Sequence, residues 1–135
     1  MSTQTYKGSC HCGAIRFEVD LDLTTSSNRC NCSICQKTRN WSMIVKPAAF
    51  RLLQGQADVG DYSFGSHSAH HNFCKRCGVS VFGSGYVEQI GGAYSSIKVS
   101  CLDDVPPETL AAIPVQYMDG RNNNWFEKPK VTSYL

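Results

Sequence analysis

"CHCGAIRF" (residues 10–17) and "CKRCGVSVF" (residues 74–82) decide how this chain folds. Both continue as C-G-x-x-x-F after their second cysteine. Gly13 and Gly78 can take the left-handed backbone conformation that turns a knuckle back under a metal ion. Each glycine leads into a strand with a phenylalanine four residues on, Phe17 and Phe82. Two equivalent knuckles of this kind, each offering two thiolates, complete one four-cysteine zinc site from Cys10, Cys12, Cys74 and Cys77. Such a site is coordinatively closed and contributes folding free energy outright.

Between the knuckles lies "RCNCSICQK" (residues 29–37), with Cys30, Cys32 and Cys35. Here the last cysteine is followed by Gln36 and a helix-compatible stretch, not by glycine. If the knuckles close their own site, these three thiols are left with one vacant position, which is the arrangement of a catalytic zinc. A metal there could hold an incoming thiol as thiolate or polarise a carbonyl. A helical turn after Cys32 would also favour negative sulfur near its N-terminus. Two other groupings fit the spacing. Cys32 and Cys35 could join Cys74 and Cys77 in a zinc ribbon, orphaning Cys10, Cys12 and Cys30. Alternatively, a distant histidine (His11, His67, His70 or His71) could complete the triad, with "SHSAHHNF" (residues 66–73) the best source. A disulfide framework belongs to secreted and usually shorter chains.

Length and composition bound the rest. The chain has 135 residues, 41% apolar and 18% charged, which fits one domain over residues 1–135 with an ordinary core. No apolar run approaches the ~18 residues of a membrane-spanning helix. The opening "MSTQTYKGSCHCG" has no apolar signal region, so the expected compartment is the reducing cytoplasm. The formal charge is +2 with every thiol counted neutral. Seven zinc-bound thiolates and two zinc ions would carry it to about −1. Lysine and arginine are scattered, which argues against the concentrated basic patch of a nucleic-acid binder.

The periodicity is that of short strands. In "AIRFEVD" (14–20), Ile15, Phe17 and Val19 share one face. "WSMIVK" (41–46) and "VSVFG" (79–83) read as largely buried strands. In "AYSSIKVSCL" (93–102), Ile97, Val99 and Cys101 share a face opposite Ser96, Lys98 and Ser100. Cys101 is therefore expected as a core thiol. "PPETLAAI" (106–113) predicts one short helix, with proline at its start and Pro114 just past its end. A second turn of helix is expected in "SICQKTRN". Residues 22–28, 55–60 and 119–124 read as loops. The expectation is an all-β fold with one or two short helices.

The order G-x-C-x-C-G-x-x-x-F, C-x-C-S-x-C and F-C-x-x-C-G-x-x-x-F resembles the glutathione-dependent formaldehyde-activating enzyme family, also called the centromere protein V type. The matching text is "GSCHCGAIRF", "CNCSIC" and "FCKRCGVSVF", and "YMDGRNNNWFEKP" is more weakly similar. The resemblance implies a Mss4-like β-tent of small antiparallel sheets clamped by a structural zinc. It assigns Cys10, Cys12, Cys74 and Cys77 to that zinc. Cys30, Cys32 and Cys35 are assigned to a second zinc, labile or partly occupied, beside the glutathione site. The implied activity is that of a carbon–sulfur lyase, joining glutathione and formaldehyde as S-hydroxymethylglutathione or cleaving the adduct. Family members often carry histidine at the place of Asn31, a basic residue at Gln36 and glycine near Asn40. These differences flank the open zinc and so bear on the substrate.

Three thiolates give a zinc site a net charge of about −1, which favours thiol carriage over water activation. Glutathione carboxylates need cations, and Lys37, Arg39, Lys46 and Arg121 are candidates. Trp125 is a candidate pocket wall, whereas Trp41 reads as core. The competing class is a non-catalytic zinc-stabilised binding module for protein or nucleic acid.

Overall fold

The computed structural model describes residues 3–135. Residues 1 and 2 of the expected 1–135 domain lie outside the described residues. In chain order the elements are β1 (Gln4–Ser9), β2 (Arg16–Leu21), β3 (Ser27–Cys30), α1 (Ser33–Thr38), β4 (Trp41–Val45), β5 (Phe50–Gln54), β6 (Val59–Tyr62), β7 (His70–Cys74), β8 (Ser80–Val87), β9 (Gly92–Lys98), α2 (Pro107–Ala112) and β10 (Val115–Met118). The strands form a three-stranded sheet, β1-β2-β5, and a seven-stranded sheet, β10-β3-β4-β9-β8-β7-β6. The expected all-β fold with short helices is present. One pairing departs from the antiparallel expectation, because β10 runs parallel to β3.

Alternation along β2 builds the interface between the sheets. Ile15, Phe17 and Val19 are fully buried. Phe17 packs on Phe50 of β5 at 5.5 Å, and Phe50 packs on Phe82 of β8 at 4.8 Å. The phenylalanines of the two C-G-x-x-x-F stretches thus bracket a third ring from the neighbouring element. Met43, Val81 and Ile97 of the large sheet join the same core. Aromatic pairs at these separations add to the burial of their apolar area.

Some readings are corrected. Ser27 and Asn28 belong to β3, and Val59 and Gly60 begin β6, so the expected loops at 22–28 and 55–60 are shorter. β3 takes its hydrogen bonds from β10 and β4, long-range partners that override the local turn preference of its serine and asparagine. Within "WSMIVK", Ser42 and Met43 are buried but Ile44 is 41% exposed. Ile44 stands on the face away from the core, where it lines a cleft. Cys101 is a buried core thiol whose S–H donates to the Ser80 carbonyl at 3.5 Å. It follows β9 on a 3₁₀ turn, Val99–Cys101. Trp41 is partly buried against the core, its indole N–H donating to Ser27 Oγ at 2.8 Å.

The large sheet has two unlike faces. One packs on the small sheet. On the other, Ser42 opposite Lys98 and Ile44 opposite Ser96 form a floor between β4 and β9. Ile34, Cys35 and Thr38 of helix α1 line the same depression.

Candidate metal centres and the adjoining cleft

The knuckles have matching backbone geometry. Cys10 N–H donates to the Ile15 carbonyl at 3.1 Å, and Cys74 N–H donates to the Val79 carbonyl at 2.9 Å. Inside each loop the glycine amide returns to the first cysteine, Gly13 to Cys10 and Gly78 to Cys74. Both glycines are left-handed, with φ of 81° and 77°. These turns bring the thiols of Cys10, Cys12, Cys74 and Cys77 within 4.8 Å of one another, a set that could hold a metal ion. Amides aim at the sulfurs: Ile15 N–H at Cys10 (3.3 Å), and Arg76 and Cys77 N–H at Cys74 (3.3 and 3.5 Å). Hydrogen bonds to sulfur favour thiolate. At Cys77, bonds from the Val79 and Cys12 amides outweigh burial and lower the pKa to about 6.

Cys30, Cys32 and Cys35 form a second group within the same distance. Cys30 ends β3, Cys32 precedes α1, and Cys35 lies one turn into it. Cys32 N–H donates to Cys30 Sγ at 3.3 Å, and Asn40 Nδ2 donates to Cys35 Sγ at 3.5 Å. The thiols share protons unequally. Hydrogen bonds from Cys30 and Cys35, with help from backbone amides, hold Cys32 far below the ordinary thiol range. The same sharing, reinforced by burial, pushes Cys35 far up.

No histidine among the described residues joins either group. His11 and His67 are exposed, His67 Nδ1 meeting Ser63 Oγ at 2.8 Å. His70 Nδ1 lies 2.9 Å from Asp61, and His71 stacks on Phe64 at 5.8 Å. All eight cysteines are free thiols.

The triad opens into two adjoining depressions. One, of about 140 Å³, is lined by Cys30 and Cys35 with Asn40, Tyr94, His71 and Lys98. The other is lined by Cys32, Phe64 and Arg121. Ala69 and Trp125 border both. Of the four expected cations, only Arg121 lines either one. Lys37, Arg39 and Lys46 are exposed elsewhere, Arg39 closing α1 in a left-handed conformation. The reading of the sequence missed Lys98. Its alternation with Ile97 gave the correct face but not what covers that face. Burial lowers its pKa.

Asn31 and Gln36 grip the turn beside the triad. Asn31, only 4% exposed, donates to Asp119 Oδ1 at 2.8 Å and accepts the Arg121 N–H at 2.9 Å. Gln36 Oε1 accepts from the Arg121 guanidinium. Hydrogen bonds from Asn31 and Asn122 lower the Asp119 pKa. Gly120 sits so close that a Cβ there would lie 2.5 Å from the Trp125 ring and 2.8 Å from Cys30 Sγ.

Two sheets joined near a four-thiol cluster, with a three-thiol group at the mouth of a cleft, define a β protein equipped for metal–thiolate chemistry. Comparison with known sequences narrows this class. The sequence model of the glutathione-dependent formaldehyde-activating enzymes matches residues 5–119, and the chain belongs to that family. A Halomonas elongata protein, named provisionally as such an enzyme, is 59% identical over 32 residues. That match covers 24% of this chain and spans only 20% of the relative's length. A crystal structure of a Rhodobacter sphaeroides protein superposes with a TM-score of 0.67 at 30% identity, covering 82% of this chain and 99% of that one. Among the described residues, no helix is long and apolar enough to cross a membrane.

Proposed function

We propose that this chain is a zinc-dependent carbon–sulfur lyase of the S-(hydroxymethyl)glutathione synthase type, a single domain acting in the cytoplasm. Its substrates are glutathione, or a similar small thiol, and formaldehyde or a similar small aldehyde. In this reading Cys10, Cys12, Cys74 and Cys77 hold a closed structural zinc. Cys30, Cys32 and Cys35 hold a second, more labile one. The observation that carries it is a three-thiol group, joined by no histidine of the described residues, that opens on a cleft. The donor sets fit the ion, since thiolates are its preferred structural ligands and three of them leave a position free.

At the triad, zinc would supply an open position that keeps an arriving thiol deprotonated beside the aldehyde. The chain's own residues do the rest. Asn40 donates to Cys35 and fixes its orientation. Asn31 and Gln36 hold the 120–122 turn, so Arg121 faces the depression that contains Cys32. There it offers a forked cation for a substrate carboxylate. The Trp125 ring walls both depressions. In the forward direction the thiolate electron pair forms the carbon–sulfur bond, and the carbonyl π pair moves to oxygen, which takes a proton.

NMR exchange between free formaldehyde and its glutathione adduct tests this reading. Wild-type protein should accelerate exchange and Cys35→Ser should not. Equal rates with the two proteins would remove the enzyme reading.

A further inference from the structure

Among the described residues, Lys98 is the one lysine or arginine lining the cleft that holds Cys30 and Cys35. Its position follows from the sheet. Ile97 points into the core, so Lys98 points to the opposite face, across from Ser42 of β4. There its ammonium donates to Asn40 Oδ1. The other end of that amide, Nδ2, donates to Cys35 Sγ at 3.5 Å and to Ser42 Oγ at 3.3 Å. One asparagine side chain therefore separates the ammonium from a thiol of the triad. Among the described residues, no Asp or Glu lines this cleft, and Lys98 forms no ion pair with a carboxylate.

A half-buried ammonium without a carboxylate needs negative charge from elsewhere. Thiolates at the proposed metal site would supply part of it. In the resting site, one of the ammonium's three donors is committed to Asn40. Two groups of the substrate could meet the remainder. The nearer carboxylate of glutathione, on its glycine, puts its oxygens seven bonds from the sulfur, and the aldehyde oxygen lies two bonds from it once the adduct forms. Spacing by a single asparagine side chain matches the nearer oxygen.

We propose that Lys98 is a catalytic residue that hydrogen-bonds the aldehyde-derived oxygen and gives it a proton as the carbon–sulfur bond forms. This rests on the lyase reading of the three-thiol group. The thiol proton goes to solvent when the sulfur is captured, and the sulfur pair makes the new bond. The π pair becomes an alkoxide, Lys98 protonates it, and the lysine recovers a proton from solvent. Thiol and aldehyde become a hydroxymethyl thioether, and the reverse direction uses Lys98 as the base. Burial lowers the ammonium's pKa against the opposing influence of Cys35, making it a readier donor than a surface lysine.

The test compares wild type, Lys98→Met and Lys98→Arg with glutathione and with 2-mercaptoethanol, which has no carboxylate. Zinc content and glutathione affinity by calorimetry are measured on the same samples. Lys98→Met should lower the exchange rate at saturating thiol by about 10²-fold with both thiols, leaving zinc content and affinity near wild type. Lys98→Arg keeps the charge but parts with its proton poorly, and should remain at least about 10-fold slow. Should Lys98→Met not fold, the arginine variant decides alone. A loss confined to glutathione would make Lys98 a carboxylate anchor and overturn the proposal. Loss of the second zinc, or wild-type rates in a folded variant, would overturn it too. If wild type itself fails to accelerate exchange, the lyase reading falls first and takes this inference with it.

Discussion

Asn31→Ala isolates the clasp that holds the 119–122 turn against the triad. The side chain is buried and bridges two groups far away in sequence, the Asp119 carboxylate and the Arg121 amide. Asp119 retains two bonds from Asn122, at 3.0 and 3.2 Å. The Arg121 amide loses its acceptor. Leaving a partly buried donor unpaired costs about 1–3 kcal/mol. If that cost falls on opening of the turn, Arg121 amide exchange accelerates about 5- to 150-fold. The two sheets share none of these bonds, so global unfolding by urea should shift much less. Hydrogen exchange followed by NMR gives both the site and the size of the effect. An Arg121 exchange rate within about twofold of wild type would refute the clasp. Equal acceleration across β4, β8 and β9 would mean that Asn31 supports the whole fold.

Three further outcomes are expected. Cys10→Ser or Cys77→Ser should yield unfolded or precipitated protein through loss of the proposed structural metal, whereas Cys32→Ser should stay folded with one metal fewer; circular dichroism and metal quantification distinguish the groups. Gly55→Ala should lower urea stability by at least about 2 kcal/mol, because the new Cβ would meet the Ala14 carbonyl oxygen at 2.3 Å in a backbone with φ of 93°. Asp20 has its pKa lowered to about 2, chiefly by the Arg51 hydrogen bond and then by Thr5. The Asp20 carboxylate thus stabilises the fold fully above the ordinary Asp pKa, and this contribution fades as pH falls toward 2. Arg51→Gln should move the Asp20 pKa toward 3.8 in an NMR titration and shrink that acid-dependent contribution to the part Thr5 maintains.

The knuckles were legible because their chemistry is local. C-x-C-G and C-x-x-C-G write the paired thiols and the left-handed turn into a few adjacent residues. β2 was equally plain, because Ile15, Phe17 and Val19 alternate without interruption. What the sequence hid is non-local. β10 pairs in parallel with β3 across most of the chain, and no local pattern specifies that partner. Lys98 sat on the predicted face, but its neighbour Asn40 lies 58 residues away and turns a solvent face into a cleft floor. Asn31 and Gln36 stand beside the triad as expected. Yet both hold the 119–122 turn, over separations of 85 to 90 residues. Their departure from the family pattern therefore acts on the placement of Arg121.

The central claim is that the second metal is held by three protein thiolates and takes a substrate thiol as its fourth ligand. Zinc K-edge X-ray absorption on protein loaded with two zinc ions, before and after addition of glutathione, measures this directly. The four- and three-thiol sets predict an average of about three and a half sulfurs per zinc, rising to four with glutathione. Four sulfurs per zinc beforehand, or an average that glutathione leaves unchanged, would contradict it.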